Sequence, residues 1–312
     1  MADVAAADAS FEAAGRQIRG DVRPPGEPRR IGYLYVLPGL LIYAAFVLVP
    51  FGHTFWISFH AWDGITPSRW VGFDNYRRVF TDPQVRETFG HALVLVGFYA
   101  LLPLILGLFL AALLSRMRVR GISGFRAILF LPQVVALVAV GVVWRWILAP
   151  DGPLNESLRA IGLGSLARPW LGDFTWALPA VGLVGTWVTF GLAMVLLVAG
   201  VQKIPTSLYD AARVDGAGPL REFFVVTLPG LRNEIVVVLV LTTTTALRSF
   251  DLVYVMTGGG PGTSTSVPSY RLYTAAFQTG EAGLGAAIGI VLALAIFAVA
   301  FGITRLGERG SQ

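Results

Sequence analysis

Residues 176–217 read WALPAVGLVGTWVTFGLAMVLLVAGVQKIPTSLYDAARVDGA, an uncharged apolar run that stops at Lys203 and gives way to a short polar loop. A helix needs about 20 apolar residues to cross the hydrocarbon core of a bilayer, and Trp176–Val201 passes that test. Working outward, five further stretches pass it: Tyr33–Ser58, His91–Leu114, Phe125–Leu148, Ile235–Met256 and Leu284–Ile303. Each lies between segments rich in Arg, Asp, Gly or Pro. The first is too long, and too far behind a polar lead, to be a signal peptide. Only 14% of the 312 residues are charged, against about 25% in soluble domains. The expectation is an all-α polytopic membrane protein with six transmembrane helices.

Six spans place both termini on one side, and charge selects it. Arg16, Arg19, Arg23, Arg29 and Arg30 precede the first span, and Arg116, Arg118 and Arg120 fill the second connection. Lys203, Arg213, Arg221 and Arg232 occupy the fourth, and Arg305 and Arg309 close the chain. The opposite connections carry Arg69, Arg77, Arg78, Arg86, Arg159, Arg168 and Arg271, spread over longer segments. The positive-inside bias therefore puts both termini and the fourth connection in the cytoplasm. The net charge of +5 is read as orientation, not as nucleic-acid binding. Residues 1–30, with Pro24, Pro25, Gly26 and Pro28, read as a disordered tail, and residues 31–312 as one transmembrane domain. The chain has no cysteine, which excludes disulfides, cysteine-ligated zinc and thiol catalysis.

The fourth connection, about 202–232, is longer than the roughly 2–8 residues that join helices in a bundle. Pro205 with Thr206 or Ser207 signals a helix start, placing Asp210 near its first turns. Ala211 and Ala212 offer a face that another backbone can approach, and Gly216 a stop or a φ > 0 turn. A second short helix runs from about Pro219 to Thr227, before Leu228-Pro229. On physics alone this is either an amphipathic connector at the bilayer surface or a docking element.

The segment Tyr209-Asp210-Ala211-Ala212-Arg213-Val214-Asp215-Gly216-Ala217, followed by Leu228-Pro229, resembles the Glu-Ala-Ala loop of ATP-binding-cassette (ABC) importer permeases. The likeness is to the carbohydrate-uptake branch, of maltose or glycerol-3-phosphate type. It extends from about Tyr33 to Arg305, through Val71-Gly72-Phe73-Asp74-Asn75-Tyr76, Trp144-Arg145-Trp146, Trp170-Leu171-Gly172-Asp173 and Phe250-Asp251-Leu252-Val253-Tyr254 to Gly258-Gly259-Gly260-Pro261-Gly262. The resemblance implies a type I ABC importer permease fold in a bacterial cytoplasmic (inner) membrane. It also implies that Asp210, Ala211, Ala212, Asp215 and Gly216 couple to an ATPase subunit, with Asp210 replacing the usual Glu. The implied partners are a second permease subunit forming a heterodimer, two ABC ATPase subunits and an extracytoplasmic solute-binding protein. No cofactor is implied in this chain, since ATP and Mg belong to the ATPase.

Polar residues inside spans usually face a bundle interior or water. Gln133 follows Leu131-Pro132; Gly185, Trp187 and Thr189 interrupt the fourth span; Thr242 to Thr245, Arg248, Ser249 and Asp251 make the fifth the most polar. Hydroxyls, an amide and an aromatic face suit a sugar. Singly, the threonines read equally as helix–helix glue, and Trp187 as packing or lipid-facing. By resemblance, the pathway lining falls near Gly185, Thr189, Thr242 and Ala246, with Gln133 and Leu137 added by alignment on Leu-Pro. Arg248 and Asp251, three apart, either pair on one helix face or leave Arg248 facing the cavity.

Other motifs carry no chemistry. No Gly-Lys-Ser/Thr follows Gly258–Gly262, so no nucleotide cradle is encoded. His53, His60 and His91 lack ligand spacing, and Glu87 and Glu281 read as solvated caps at span edges. The rival classes are a membrane enzyme, which would need paired intramembrane acids or a histidine cluster, and a secondary carrier, which would show internal repeats and more spans.

Overall fold

The computed structural model describes residues 31–114 and 122–308. The expected disordered tail, the Arg116–Arg120 cluster and Arg309 lie outside them. α1 spans Tyr33–Ile57, with a π turn at Ala44–Leu48 and apolar side chains such as Leu34, Ile42 and Phe46 exposed along its length. Such a surface calls for an apolar covering, either lipid or a partner protein.

The rest of the described chain starts with a two-stranded hairpin, β1 (His60–Ala61) and β2 (Arg69–Trp70), paired antiparallel. Its tip is tied by Asp63, whose carboxylate accepts from the Ile65 and Thr66 amides and the Thr66 hydroxyl; these bonds hold its pKa below the usual range. α2 (Asp74–Thr81) follows. Its buried Asn75 donates from Nδ2 to the Ser58 and His60 carbonyls, each at 2.9 Å, fixing the hairpin to the helix. α3 (Pro83–Leu113) begins earlier than the hydropathy suggested, because Asp82 caps it by accepting from Gln84 N and Pro83 fits the first turn.

Two expected spans are not single helices. The segment read as Phe125–Leu148 is α4 (Ile122–Val134) and α5 (Leu137–Ile147), bent by 102°. Pro132 already removes a donor from the last turn of α4, and Ala136, at φ −57° and ψ 128°, leaves the helical region altogether. The segment read as Ile235–Met256 is α10 (Arg232–Leu247) and α11 (Asp251–Met256), interrupted where Phe250 adopts φ −134° and ψ −56°. The freed Ser249 carbonyl accepts from the Ser269 hydroxyl. Between these pairs lie α6 (Pro153–Ala160), α7 (Ala177–Val201), α8 (Thr206–Val214) and α9 (Pro219–Gly230), the last bent by 68° against α10. α12 (Pro268–Phe277) and α13 (Ala282–Glu308) complete the chain. Four helices are long and apolar enough to cross a membrane, or up to six if α4 with α5 and α9 with α10 each count as one span.

α7 is the central helix: 67% of its apolar window is buried, against 28% for α3 and for α13. Small residues allow this. A Cβ on Gly107 of α3 would lie 2.9 Å from Leu197 Cδ1, and one on Gly191 of α7 would lie 2.8 Å from Phe130 Cα of α4. Backbones this close give dense packing where lipid supplies no hydrophobic drive between helices. Glu281, expected to be a solvated cap, instead pairs with Arg78 at 2.6 Å and ties α2 to the start of α13.

Candidate functional site

The fold positions two polar regions. The first is a cavity of about 270 Å³ where the breaks before α5 and after α10 meet α3 and α7. Its lining includes Leu137, Gly185, Thr189, Arg248 and Ser249 from the sequence reading, joined by Tyr99, Thr245, Phe250 and Asp251.

Its wall is built by a π turn in α3, Gly97–Leu101. A π turn skips the regular i→i−4 pairing and leaves carbonyls in need of donors. Thr186 donates to the Phe98 carbonyl at 2.7 Å, and Thr189 to the Tyr99 carbonyl at 3.1 Å and to Gly185 O at 2.8 Å. Thr186 is thus glue, and Thr189 is both glue and lining: its hydrogen is committed, while its oxygen can still accept. The same turn pushes Tyr99 into the wall, where its ring is 3% exposed and its hydroxyl sits 3.4 Å from Ser249 Oγ. Gly185 is required by that ring, because a Cβ there would fall inside it.

The structure does not bring the other expected lining residues into this wall. Thr242 is buried and donates to Val238 O at 2.7 Å, so its hydroxyl is spent on its own helix. Ala246 is fully buried and packs in the apolar cluster around Tyr99. Trp187, 44% exposed, makes an edge-to-face pair with Trp144 at 5.6 Å outside the cavity. Gln133 lies at the end of α4, its Oε1 buried without a partner. Arg248 and Asp251 form no ion pair among the described residues; both face the cavity.

The second region is the loop of α8 and α9. Pro205 opens α8 without any side-chain cap, so the Thr206 and Ser207 hydroxyls are not used there. The other end is a complete Schellman stop. Gly216 takes φ +75°, its amide donates to Arg213 O at 3.0 Å, and the Ala217 amide donates to Ala212 O at 2.9 Å. A Cβ on Gly216 would meet nothing within 4 Å, so the glycine is needed for backbone conformation and not for space. The two alanines have different roles: Ala212 is buried beneath the helix, whereas Asp210, Ala211, Asp215 and Gly216 are exposed. Underneath, Arg213 Nη1 reaches Asp210 Oδ1 at 3.3 Å and Arg213 Nε reaches Glu222 Oε2 at 3.5 Å. Glu222 is only 3% exposed, and Tyr209 OH meets Thr227 Oγ1 at 3.2 Å. The Arg213–Glu222 pair and the Tyr209–Thr227 contact tie α8 to α9.

Sequence reasoning missed Tyr99, although a phenol in the middle of an apolar span was the available signal. It also missed Glu222, whose burial is invisible in a loop that reads as polar.

The family model for a binding-protein-dependent transport system inner membrane component matches residues 90–310. The chain belongs to this family. It is an ABC transporter permease subunit and not an enzyme. The permease is 36% identical over 289 residues to the probable ABC transporter permease protein YurN of Bacillus subtilis, covering 90% of this chain and 97% of that one. It is 36% identical to the diacetylchitobiose uptake system permease protein NgcF of Streptomyces coelicolor, with 87% of this chain and 81% of that one covered. The trehalose/maltose transport system permease protein MalF of Thermococcus litoralis is 36% identical, with 84% and 88% covered. In fold, the permease superimposes on a chain of a bacterial ABC transporter that imports the acidic polysaccharide alginate. The TM-score is 0.78 at 23% identity, over 90% of this chain and 96% of that chain.

Proposed function

We propose that this permease imports a sugar-class solute across a bacterial inner membrane by alternating access, with the cavity as its pathway and the α8 loop as the coupling element. In this reading α4 with α5, and α10 with α11, each make one span, which gives six with α1, α3, α7 and α13, and both termini and the loop at about 202–232 are cytoplasmic. Residues 31–312 form the permease domain. The observation that carries the reading is the cavity itself, a space of about 270 Å³ opened at two helix breaks, where Thr189, Thr245, Arg248, Ser249 and Asp251 stand among apolar lining residues. Unwound backbone lining a cavity at membrane depth is how transporters expose hydrogen-bonding groups to a solute. Relatives that belong to a diacetylchitobiose uptake system and a trehalose/maltose transport system support the sugar class.

The working assembly comprises this chain, a second permease, two ATPase subunits that hold ATP and Mg, and an extracytoplasmic solute-binding protein. A binding-protein partner is supported by the family description and by the related alginate transporter in complex with a pentasaccharide-bound periplasmic protein. Closure of the ATPase dimer would pull α8, and Arg213 with Glu222 would pass that motion to α9 and α10. The test is uptake of trehalose, maltose and diacetylchitobiose by the assembled transporter in proteoliposomes. At least one sugar should enter with ATP and none without it; uptake driven by an ion gradient in the absence of the ATPase would identify a secondary carrier instead.

A further inference from the structure

We infer that Arg248 and Asp251 form a two-sign filter that selects a neutral, polyhydroxylated solute and turns acidic ones away. The inference rests on the cavity being the solute pathway. Of the residues that line it, these two carry charge, and they stand on either side of the α10–α11 break. Three residues apart on a continuous helix they would be neighbours able to pair. The break removes that geometry, because Phe250 between them leaves the helical region. No ion pair joins them, and neither makes a side-chain hydrogen bond among the described residues.

Two uncompensated charges in one small cavity need partners when water leaves it. A neutral sugar satisfies both at once: its hydroxyls donate to the Asp251 carboxylate, and its hydroxyl and ring oxygens accept from the Arg248 guanidinium. Phe250 adds an apolar face for the C–H side of the ring. An acidic sugar satisfies Arg248 but brings its carboxylate into the field of Asp251 within the same cavity. Arg248 alone would have made an anion site; Asp251 cancels it.

The chain's freedom from cysteine supplies the test. Thr245 is exposed to the cavity, so Thr245→Cys in the assembled transporter places one reactive thiol in this chain. The rate of its modification by a maleimide is measured against increasing maltose or, separately, glucuronate. Maltose should protect and glucuronate should protect poorly. Asp251→Asn, isosteric and uncharged, should shift the concentration ratio for half-protection toward glucuronate by on the order of tenfold, while Arg248→Lys should weaken maltose without that shift. Stronger protection by glucuronate than by maltose in the Thr245→Cys chain would overturn the filter, as would an unchanged ratio in Asp251→Asn. A thiol that reacts but that neither sugar protects would refute the cavity as pathway, and the filter with it.

Discussion

The α8 loop and the membrane cavity differ most in how far apart their determinants lie along the chain. α8 is specified within a dozen residues: Gly216 stops it, Ala212 seats it, and Arg213 reaches back to Asp210 and forward to Glu222. The cavity draws Tyr99 from α3, Thr189 from α7 and Asp251 from beyond α10, and its wall depends on a π turn whose carbonyls are satisfied by another helix. Local specification produces an element that can be displaced as a unit. Long-range specification produces a space whose shape changes whenever the helices move, which is what alternating access needs.

This contrast is broken most severely at Gly185. Gly185→Leu puts a side chain where the Tyr99 ring sits, an overpacking that costs about 3 kcal/mol or more. The expected outcome is loss of folded transporter, seen as a fallen thermal midpoint and poor yield of the assembled complex. Glu222→Gln comes next. It leaves Arg213 facing a neutral buried amide, and because Arg213 is 56% exposed solvent screening limits the cost to about 1–2 kcal/mol. Transport should fall more than ATP hydrolysis, since the α8–α9 lock is loosened and the ATPase untouched. Gly216→Ala forces a side chain into the left-handed region and should cost about 1 kcal/mol, with amide exchange rising at the end of α8 and the cavity unaffected. The smallest change is Asp210→Glu. Its pair with Arg213 is exposed on both sides, at 70% and 56%, so stability should stay within about 0.5 kcal/mol and uptake should be retained. A large loss there would mean that Asp210 has a partner for which side-chain length matters.

The same contrast decides what could be read from sequence. α8, its glycine stop and its neighbourhood were legible because Pro205, the alanine pair and Gly216 act within a turn or two. The apolar helices were legible from run length alone. The breaks at Val135–Ala136 and Ser249–Phe250 were not, because hydropathy is blind to backbone torsion: the first segment stays apolar across its break, and Arg248, Ser249 and Asp251 read as polar residues within one continuous span. Within the cavity, Leu137, Gly185, Thr189, Arg248 and Ser249 were anticipated. Thr242 and Ala246 carried the right polarity or size but face helix packing. Which way a threonine points depends on where the neighbouring helix leaves an unpaired carbonyl, and no periodicity reports that. The alanine pair was read as one face, yet burial separates Ala212 from Ala211.

That separation gives the most direct measurement of the central claim, that α8 docks on an ATPase. In this cysteine-free chain, Ala211→Cys carries a maleimide photocrosslinker, with Thr263→Cys in the glycine-rich loop, also exposed, as the control. If α8 docks on the ATPase, position 211 forms a covalent adduct with that subunit and position 263 forms none. No adduct from 211, or equal adducts from both positions, would contradict the docking.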